Sequence, residues 1–144
     1  QLGVHPKSVH AYQIGEHGDS EFALWSAATM GGEKITQLIP ERDRIAIEAS
    51  VRDKAYQIIK KKGATHYGIG TCVVQIINSI LNAERRVLPV SNYDDHAHLY
   101  NGFPAVVGRA GIVRRLDTSM TEQEGIMFQK SNNAIKKTIE EATK

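Results

Sequence analysis

The strongest constraint on the fold is a continuous apolar stripe in the middle of the chain. Between Thr65 and Asn82 the apolar residues recur at steps of three and one, which places them on one face of an α-helix: Ile69, Cys72, Val73, Ile76, Ile77, Ile80 and Leu81. The spacing therefore predicts an amphipathic helix over 65–82. Cys72 lies on the stripe, and we expect it to pack as a small apolar side chain, not to act as a reactive thiol.

A second long helix precedes this segment. Pro40 and Glu41 open it, and Gly63 follows three lysines at its end, residues 60–62. Acidic residues near the start and basic residues in the last turn have the signs that the helix dipole favours. We expect a helix from 41 to 62 with one apolar stripe: Ile47, Val51, Ala55 and Ile58.

The strand signals lie on either side of these helices and do not alternate with them. Four segments read as β-structure, and the last of them reads as a hairpin around 108–111: residues 9–14, 22–26, 85–93 and 103–116. The final helix starts at Thr121, where Thr121 and Glu124 form a capping-box pattern. Because helices and antiparallel strands are segregated along the chain, the sequence predicts an α+β fold.

Composition narrows the class of protein. A chain of 144 residues with 41% hydrophobic and 24% charged residues fits one globular domain. It contains no apolar run near the ~18 residues of a membrane span, and no signal-peptide pattern opens it. The single Cys72 forms no internal disulfide, which favours a reducing, cytoplasmic compartment. With a net charge of only +2, we expect neither a nucleic acid nor a membrane as partner.

Two motifs suggest ligand sites and are set aside. "GIGTCV" (68–73) resembles a dinucleotide-binding loop, but it has no third glycine and falls inside the strongest helix pattern. "DDHAHLY" (94–100) offers two aspartates and two histidines as zinc ligands, but it contains no cysteine and crowds its polar residues into a turn-like segment. A surface loop is the favoured interpretation, and no metal site is expected.

His17 is the strongest catalytic candidate. It lies between Gly15 and Gly18, with Glu16 and Asp19 beside it. Histidine titrates near pH ~6.5 and exchanges protons at cellular pH, and flanking glycines let the backbone approach a ligand closely. The same pattern also suits a polar turn between two strands, so the spacing alone leaves both interpretations open.

Thr65 leaves two interpretations open as well. At the start of the predicted helix its hydroxyl is placed to act as an N-cap. A hydroxyl at a helix N-terminus also lies where an anion is attracted.

Several segments resemble the L-lactate dehydrogenase family. "IGEHGDS" (14–20) is similar to the active-site signature of that family, and "KGATHYGIG" (62–70) resembles its substrate-pocket segment. The likeness extends through 4–26 and 83–93 and covers essentially the whole chain, as the family's C-terminal, substrate-side half. Related malate dehydrogenases usually carry another residue at the position of Glu16.

The resemblance implies roles for three residues. His17 would be the acid/base that protonates the carbonyl oxygen of pyruvate and accepts the hydroxyl proton of L-lactate. Thr65 would lie near the substrate carboxylate. Ile69 would contact the nicotinamide ring of NAD.

It also implies regulation and assembly of the bacterial type. His10 matches a histidine that binds the allosteric activator fructose 1,6-bisphosphate. Tyr56 resembles a tyrosine that is phosphorylated in some relatives. The resemblance further implies a homotetramer that acts in glycolysis and fermentation in the cytoplasm.

Family members hold NAD on an N-terminal Rossmann domain, whose Gly-rich loop this chain does not show. The aspartate that orients the catalytic histidine, and the arginines that meet the substrate, also belong to that other half. We therefore interpret 1–144 as the C-terminal catalytic domain of an NAD-dependent L-lactate dehydrogenase, and we expect it to be inactive alone. The alternatives are a domain of another L-2-hydroxyacid dehydrogenase and a non-catalytic interaction domain.

Overall fold

Four α-helices organise the computed structural model, which describes residues 2–144: α1 (Ile35–Leu38), α2 (Glu41–Lys62), α3 (His66–Leu81) and α4 (Glu122–Ala142). Two short 3-10 helices, Pro6–Ser8 and Trp25–Ala27, lie near the start of the chain. The three long helices follow the predicted boundaries. Gly63 ends α2 in the left-handed conformation, at φ 78°, and Thr121 and Glu124 form the predicted capping box of α4.

The strands form three small sheets, and every pairing in them is antiparallel. The first sheet has the order β1 (Val9–His10), β4 (Thr29–Met30), β5 (Glu33–Lys34), and the second pairs β2 (Gln13–Ile14) with β3 (Phe22–Ala23). The third has the order β6 (Arg86–Asp94), β7 (Leu99–Gly108), β8 (Gly111–Arg115). The α+β prediction is confirmed.

A compact apolar core joins the second sheet, the third sheet and α4. Its buried members are Ile14, Phe22, Leu24 and Phe103. Phe128 of α4 packs against Phe103 with the ring centroids 5.6 Å apart. Ile14 and Phe22 pair directly across β2 and β3, so the core anchors both ends of the segment that connects these two strands.

A buried polar network closes the third sheet against α4. The Arg115 guanidinium donates to Asp94 Oδ2 at 3.0 Å, to Asn92 Oδ1 at 2.5 Å and to Asn101 Oδ1 at 3.0 Å. The Asn101 amide donates in turn to Asn132 Oδ1 on α4 at 2.9 Å. Because each buried polar group has a partner, the network fixes the strands and the helix relative to each other.

The carboxyl of Asp94 shows the electrostatic effect of this network. Burial acts to raise its pKa, but hydrogen bonds from two backbone amides of the following turn and from Asn101, together with the charge of Arg115, outweigh the burial. The pKa of Asp94 is therefore lower than usual, and the ionised form is the one that the fold stabilises.

Two strand predictions need correction. The segment 9–14 is not one strand, because β1 pairs with β4 while β2 pairs with β3. The segment 22–26 is a strand only as far as Ala23, and a 3-10 helix follows. In that helix the Trp25 indole donates to Glu48 at 2.6 Å, a contact distant in sequence that no local pattern signals.

The predicted surface loop at 94–100 is a tight hairpin turn. β6 runs to Asp94 and β7 begins at Leu99, four residues earlier than expected. Asp94 accepts from the amides of His96 and Ala97, both at 3.0 Å, so its side chain builds the turn. The Asp94 carboxylate, considered above as a zinc ligand, therefore stabilises the hairpin turn.

The predicted packing of α2 and α3 is the clearest departure. None of the described residues of α2 is buried, and in α3 only Ser79 is. Cys72 is exposed, so the expectation that it packs is wrong for this chain. The spacing predicts the helix correctly, but only Ile76 and Ile80 of the apolar stripe are partly buried, and the rest of the stripe is exposed within the described chain.

Candidate functional site

His17 lies on the segment between β2 and β3. Its side chain is 99% exposed, and its Nδ1 atom lies 3.8 Å from a carboxylate oxygen of Glu21. Since both ends of the segment are anchored in the core, the imidazole projects into solvent from a fixed base. This placement suits a group that exchanges protons with a bound molecule.

Two glycines join this segment to the third sheet. Gly15, at φ +96°, and Gly102 exchange a pair of backbone hydrogen bonds, each of 2.8 Å. A Cβ atom on Gly102 would lie 2.9 Å from the Gly15 carbonyl oxygen, so the approach depends on a residue without a side chain. Gly15, two residues before His17, therefore forms a backbone contact with β7 that the sequence did not indicate.

Ser131 of α4 also reaches this segment, and the sequence gave no signal of it. The Glu16 amide donates to Ser131 Oγ at 2.6 Å. The two residues are 115 positions apart, so only the tertiary fold brings them together.

An open cleft of about 680 Å³ lies beside His17. We call it the His17 cleft; residues of the β2–β3 segment and of the third sheet supply most of its wall, including Glu16, Glu21, Ser91, Tyr100 and Asn101. Val51 of α2 and Ile135 of α4 complete it. Carboxylates, hydroxyls and an amide thus surround a cleft with an exposed imidazole.

The structure places Thr65 and Ile69 apart from this cleft, since neither is among its lining residues. Thr65 occupies the N-cap position of α3, but its side chain makes no capping hydrogen bond, so the prediction that its hydroxyl caps the helix is wrong. Ile69 lies one turn further along α3 with 53% of its surface exposed. Thr65 is partly buried.

His10 lines a second open cleft, of about 830 Å³, which we call the His10 cleft. Lys7 and Arg86 contribute to the same wall, so two further basic side chains accompany the imidazole. Tyr56 lies on α2, 64% exposed.

Within residues 2–144, no three histidine, cysteine or acidic side chains come together as a metal-binding group. None of the helices in that range is long and apolar enough to cross a membrane.

Comparison with known proteins gives one consistent result. The family model described as lactate/malate dehydrogenase, alpha/beta C-terminal domain, matches residues 1–144. An L-lactate dehydrogenase of Streptococcus sanguinis (strain SK36) is 41% identical over 154 residues, covering 100% of this chain and 47% of the relative. L-lactate dehydrogenase 1 of Peribacillus psychrosaccharolyticus is 46% identical over 146 residues, covering 94% of this chain and 46% of the relative.

Solved structures agree in fold. A lactate dehydrogenase from a Medee basin deep-sea metagenome library superposes with a TM-score of 0.93 at 36% identity, covering 98% of this chain and 48% of the other. The minor L-lactate dehydrogenase of Enterococcus mundtii, in a ligand-bound form, gives 0.88 at 39% identity, covering 96% and 48%. The chain spans about half the length of the curated relatives it matches. It belongs to the lactate/malate dehydrogenase family, as that family's C-terminal domain.

Proposed function

We propose that residues 1–144 are the substrate-side domain of an NAD-dependent L-lactate dehydrogenase, with His17 as its proton donor and acceptor. The observation that carries the proposal is the exposed imidazole on an anchored segment beside the His17 cleft. The names of the relatives favour lactate and pyruvate as the substrate pair. We call the longer protein that this implies the parent enzyme.

The chemistry proposed for His17 is a single proton transfer. During pyruvate reduction the imidazolium gives its proton to the carbonyl oxygen and becomes neutral, and during lactate oxidation the neutral ring takes the hydroxyl proton. The Glu21 carboxylate lies 3.8 Å from Nδ1. Glu21 does not orient the ring as a hydrogen-bonded partner would, because that distance is too long.

Thr65 is proposed to bind the substrate carboxylate. Its hydroxyl makes no capping hydrogen bond, so its oxygen can accept from a ligand as well as donate to one. The N-terminus of α3, where amide groups point outward, adds a favourable field for an anion. Thr65 and His17 do not line one cleft within this domain, so the proposal requires the rest of the parent enzyme to complete the pocket.

The fit of NAD to this domain is partial. Ile69 presents an exposed apolar side chain that suits contact with a nicotinamide ring. Every strand pair among residues 2–144 is antiparallel, so the described chain offers no parallel strand-helix unit to hold a pyrophosphate. NADH, when bound, supplies the hydride. An N-terminal nucleotide-binding domain would hold most of it.

The exposed stripe on α3 supports a larger assembly. Apolar side chains that are half exposed lie along most of the helix: Ile69, Val73, Val74, Ile77 and Leu81. Contiguous apolar surface of this kind marks protein–protein contact. The N-terminal domain and further subunits of a cytoplasmic homotetramer are the proposed occupants.

Regulation is proposed at two further positions. The His10 cleft brings His10, Lys7 and Arg86 together with one acidic residue, Glu84, which lies 3.9 Å from Arg86. The excess of basic side chains suits a phosphate of fructose 1,6-bisphosphate. Tyr56 is exposed enough for a kinase to reach it.

The first test is the coding sequence upstream of Gln1. A strand-turn-helix with a G-x-G-x-x-G pattern there supports the proposal, and an unrelated or absent upstream segment contradicts it. Purified parent enzyme should then oxidise NADH with pyruvate, whereas residues 1–144 alone should not. A preference for a longer 2-oxoacid across a substrate panel would favour the other L-2-hydroxyacid dehydrogenases, and no turnover at all would favour an interaction domain.

A further inference from the structure

A single hydroxyl on α4 contacts residues on both sides of His17, the backbone amide of Glu16 and the side-chain hydroxyl of Ser20. Ser131 is fully buried, at 0% exposure. Its Oγ accepts from the Glu16 amide at 2.6 Å and lies 3.1 Å from Ser20 Oγ. Glu16 precedes His17 directly, and Ser20 follows it three residues later.

The donors and acceptors in this cluster have only one consistent arrangement. The Ser20 hydroxyl donates to the Glu16 carboxylate, which uses its single proton. The Ser131 oxygen accepts from the Glu16 amide, so the Ser131 proton is the one left to bridge the two hydroxyls. The result is a closed ring of hydrogen bonds from the Glu16 amide through Ser131 and Ser20 back to the Glu16 carboxylate.

Steric contact adds to the hydrogen bonds. A Cβ atom at Gly15 would overlap the Ser131 hydroxyl. Helix α4 therefore packs directly against the backbone that precedes His17. In contrast, the His17 side chain is almost entirely free of contacts, at 99% exposure. The position of the imidazole thus depends on its backbone. That backbone is held by Ser131 on the α4 side, in addition to the Gly15–Gly102 hydrogen bonds on the β7 side.

We propose that Ser131 is a positioning residue for His17, through which the C-terminal helix sets the geometry of proton transfer. The inference rests on the proposed function, because it assigns Ser131 to the same site. A catalytic group displaced by about 1 Å can lose as much as ~10²-fold in rate. Ser131 touches neither the substrate nor the cofactor in this scheme, and acts only through residues 15–20.

The test compares Ser131→Ala with Thr138→Val in the full-length protein that carries this chain. Thr138 is a matched control, since it lies on α4, is exposed, and donates only within the helix, to the Ala134 carbonyl oxygen. Two readouts are needed: steady-state pyruvate reduction, and amide hydrogen exchange across residues 15–20. For Ser131→Ala we expect kcat to fall about tenfold with KM changed less than about twofold, and exchange at Glu16 to quicken roughly tenfold. Thr138→Val should change neither.

The two readouts separate the possible failures. Unchanged exchange in Ser131→Ala would overturn the positioning role, and so would faster exchange with unchanged kcat. If the unmodified protein shows no turnover, the proposed function fails and the catalytic part of the inference fails with it, while exchange still reports whether Ser131 holds the segment. If Ser131→Ala does not fold, Ser20→Ala opens the same ring at its less buried hydroxyl, and it should lower kcat with a smaller loss of Tm.

Discussion

The two halves of this domain treat their apolar surface in opposite ways. The sheet region, β6–β8 with α4, buries four apolar residues along β7: Leu99, Phe103, Ala105 and Val107. Its buried polar side chains form hydrogen bonds within the chain: Asn92, Asp94, Asn101 and Asn132. The helix pair, α2 and α3, buries almost nothing within the described chain. The sheet region therefore buries its apolar residues within the chain, whereas the helix pair leaves an apolar face exposed to solvent.

This difference separates the parts of the proposed site. The segment with His17 is attached to the sheet region through Gly102 and Ser131. Thr65 and Ile69 belong to the helix pair. A proton-transfer group needs a rigid base, whereas residues proposed to meet substrate and cofactor lie on the surface that the rest of the parent enzyme would cover. The comparison therefore predicts different responses to mutation in each region.

The largest effect should come from the group that the sheet region presents. In the parent enzyme, His17→Asn should lower kcat about 10²–10⁴-fold, because a general acid is lost. Thermal stability should be unchanged, since the side chain is 99% exposed and contributes no packing. Steady-state kinetics with a melting curve for each protein checks both. Near-normal turnover at unchanged Tm would return His17 to the role of a turn residue.

Breaking the polar network should show how far the sheet region is self-contained. Arg115→Ala removes the donor shared by Asp94, Asn92 and Asn101 and leaves a buried carboxylate without its counter-charge. The free energy of unfolding should fall by roughly 3 kcal/mol. Arg114→Ala is the matched control, because the Arg114 side chain is exposed and points to the opposite face of β8 from Arg115. Equal denaturation midpoints for the two variants would mean that the network contributes little.

The sequence predicted the parts of the fold that local chemistry determines. Gly63 and the Thr121–Glu124 pair marked helix ends correctly because the groups that satisfy those ends lie within a few residues. Periodicity identified α3, but it reports which face is apolar and not what covers that face. Ser131 left no signal, since its partner Glu16 is 115 residues away and becomes a neighbour only in the folded chain.

The His10 cleft lies at the boundary between the sheet region and the helix pair. The His10 cleft takes its wall from both, with Arg86 of β6 and Gln75 of α3 beside His10. A bound phosphate favours imidazolium, so fructose 1,6-bisphosphate should bind more tightly and activate the parent enzyme more strongly at mildly acidic pH. His10→Gln should abolish this activation, a coupling of about 1–3 kcal/mol, and keep the basal rate. Activation that persists in the variant would leave His10 without an effector role.

The smallest effect on this chain should come from its most apolar exposed surface. Val74 and Ile77 are 54% and 45% exposed on α3. Replacing each by serine should lower the free energy of unfolding of residues 1–144 by no more than about 1 kcal/mol, because about half of each side chain is already in solvent and the helix propensities are similar. Ser79→Ala on the same helix is the contrasting control: its buried hydroxyl donates to the Val107 carbonyl oxygen at 2.9 Å, so its loss should cost about 1 kcal/mol.

In the parent enzyme the serine variants should have the larger effect and Ser79→Ala the smaller one. The two serine variants should shift assembly toward smaller species in analytical ultracentrifugation, since there the stripe is proposed to be buried. Burying the exposed half of each side chain contributes roughly half of the ~1.5–3 kcal/mol that full burial of an aliphatic side chain provides. Serine variants that destabilise the isolated chain more strongly than Ser79→Ala would show that the stripe is already packed within this domain, and the contrast between the two regions would not hold.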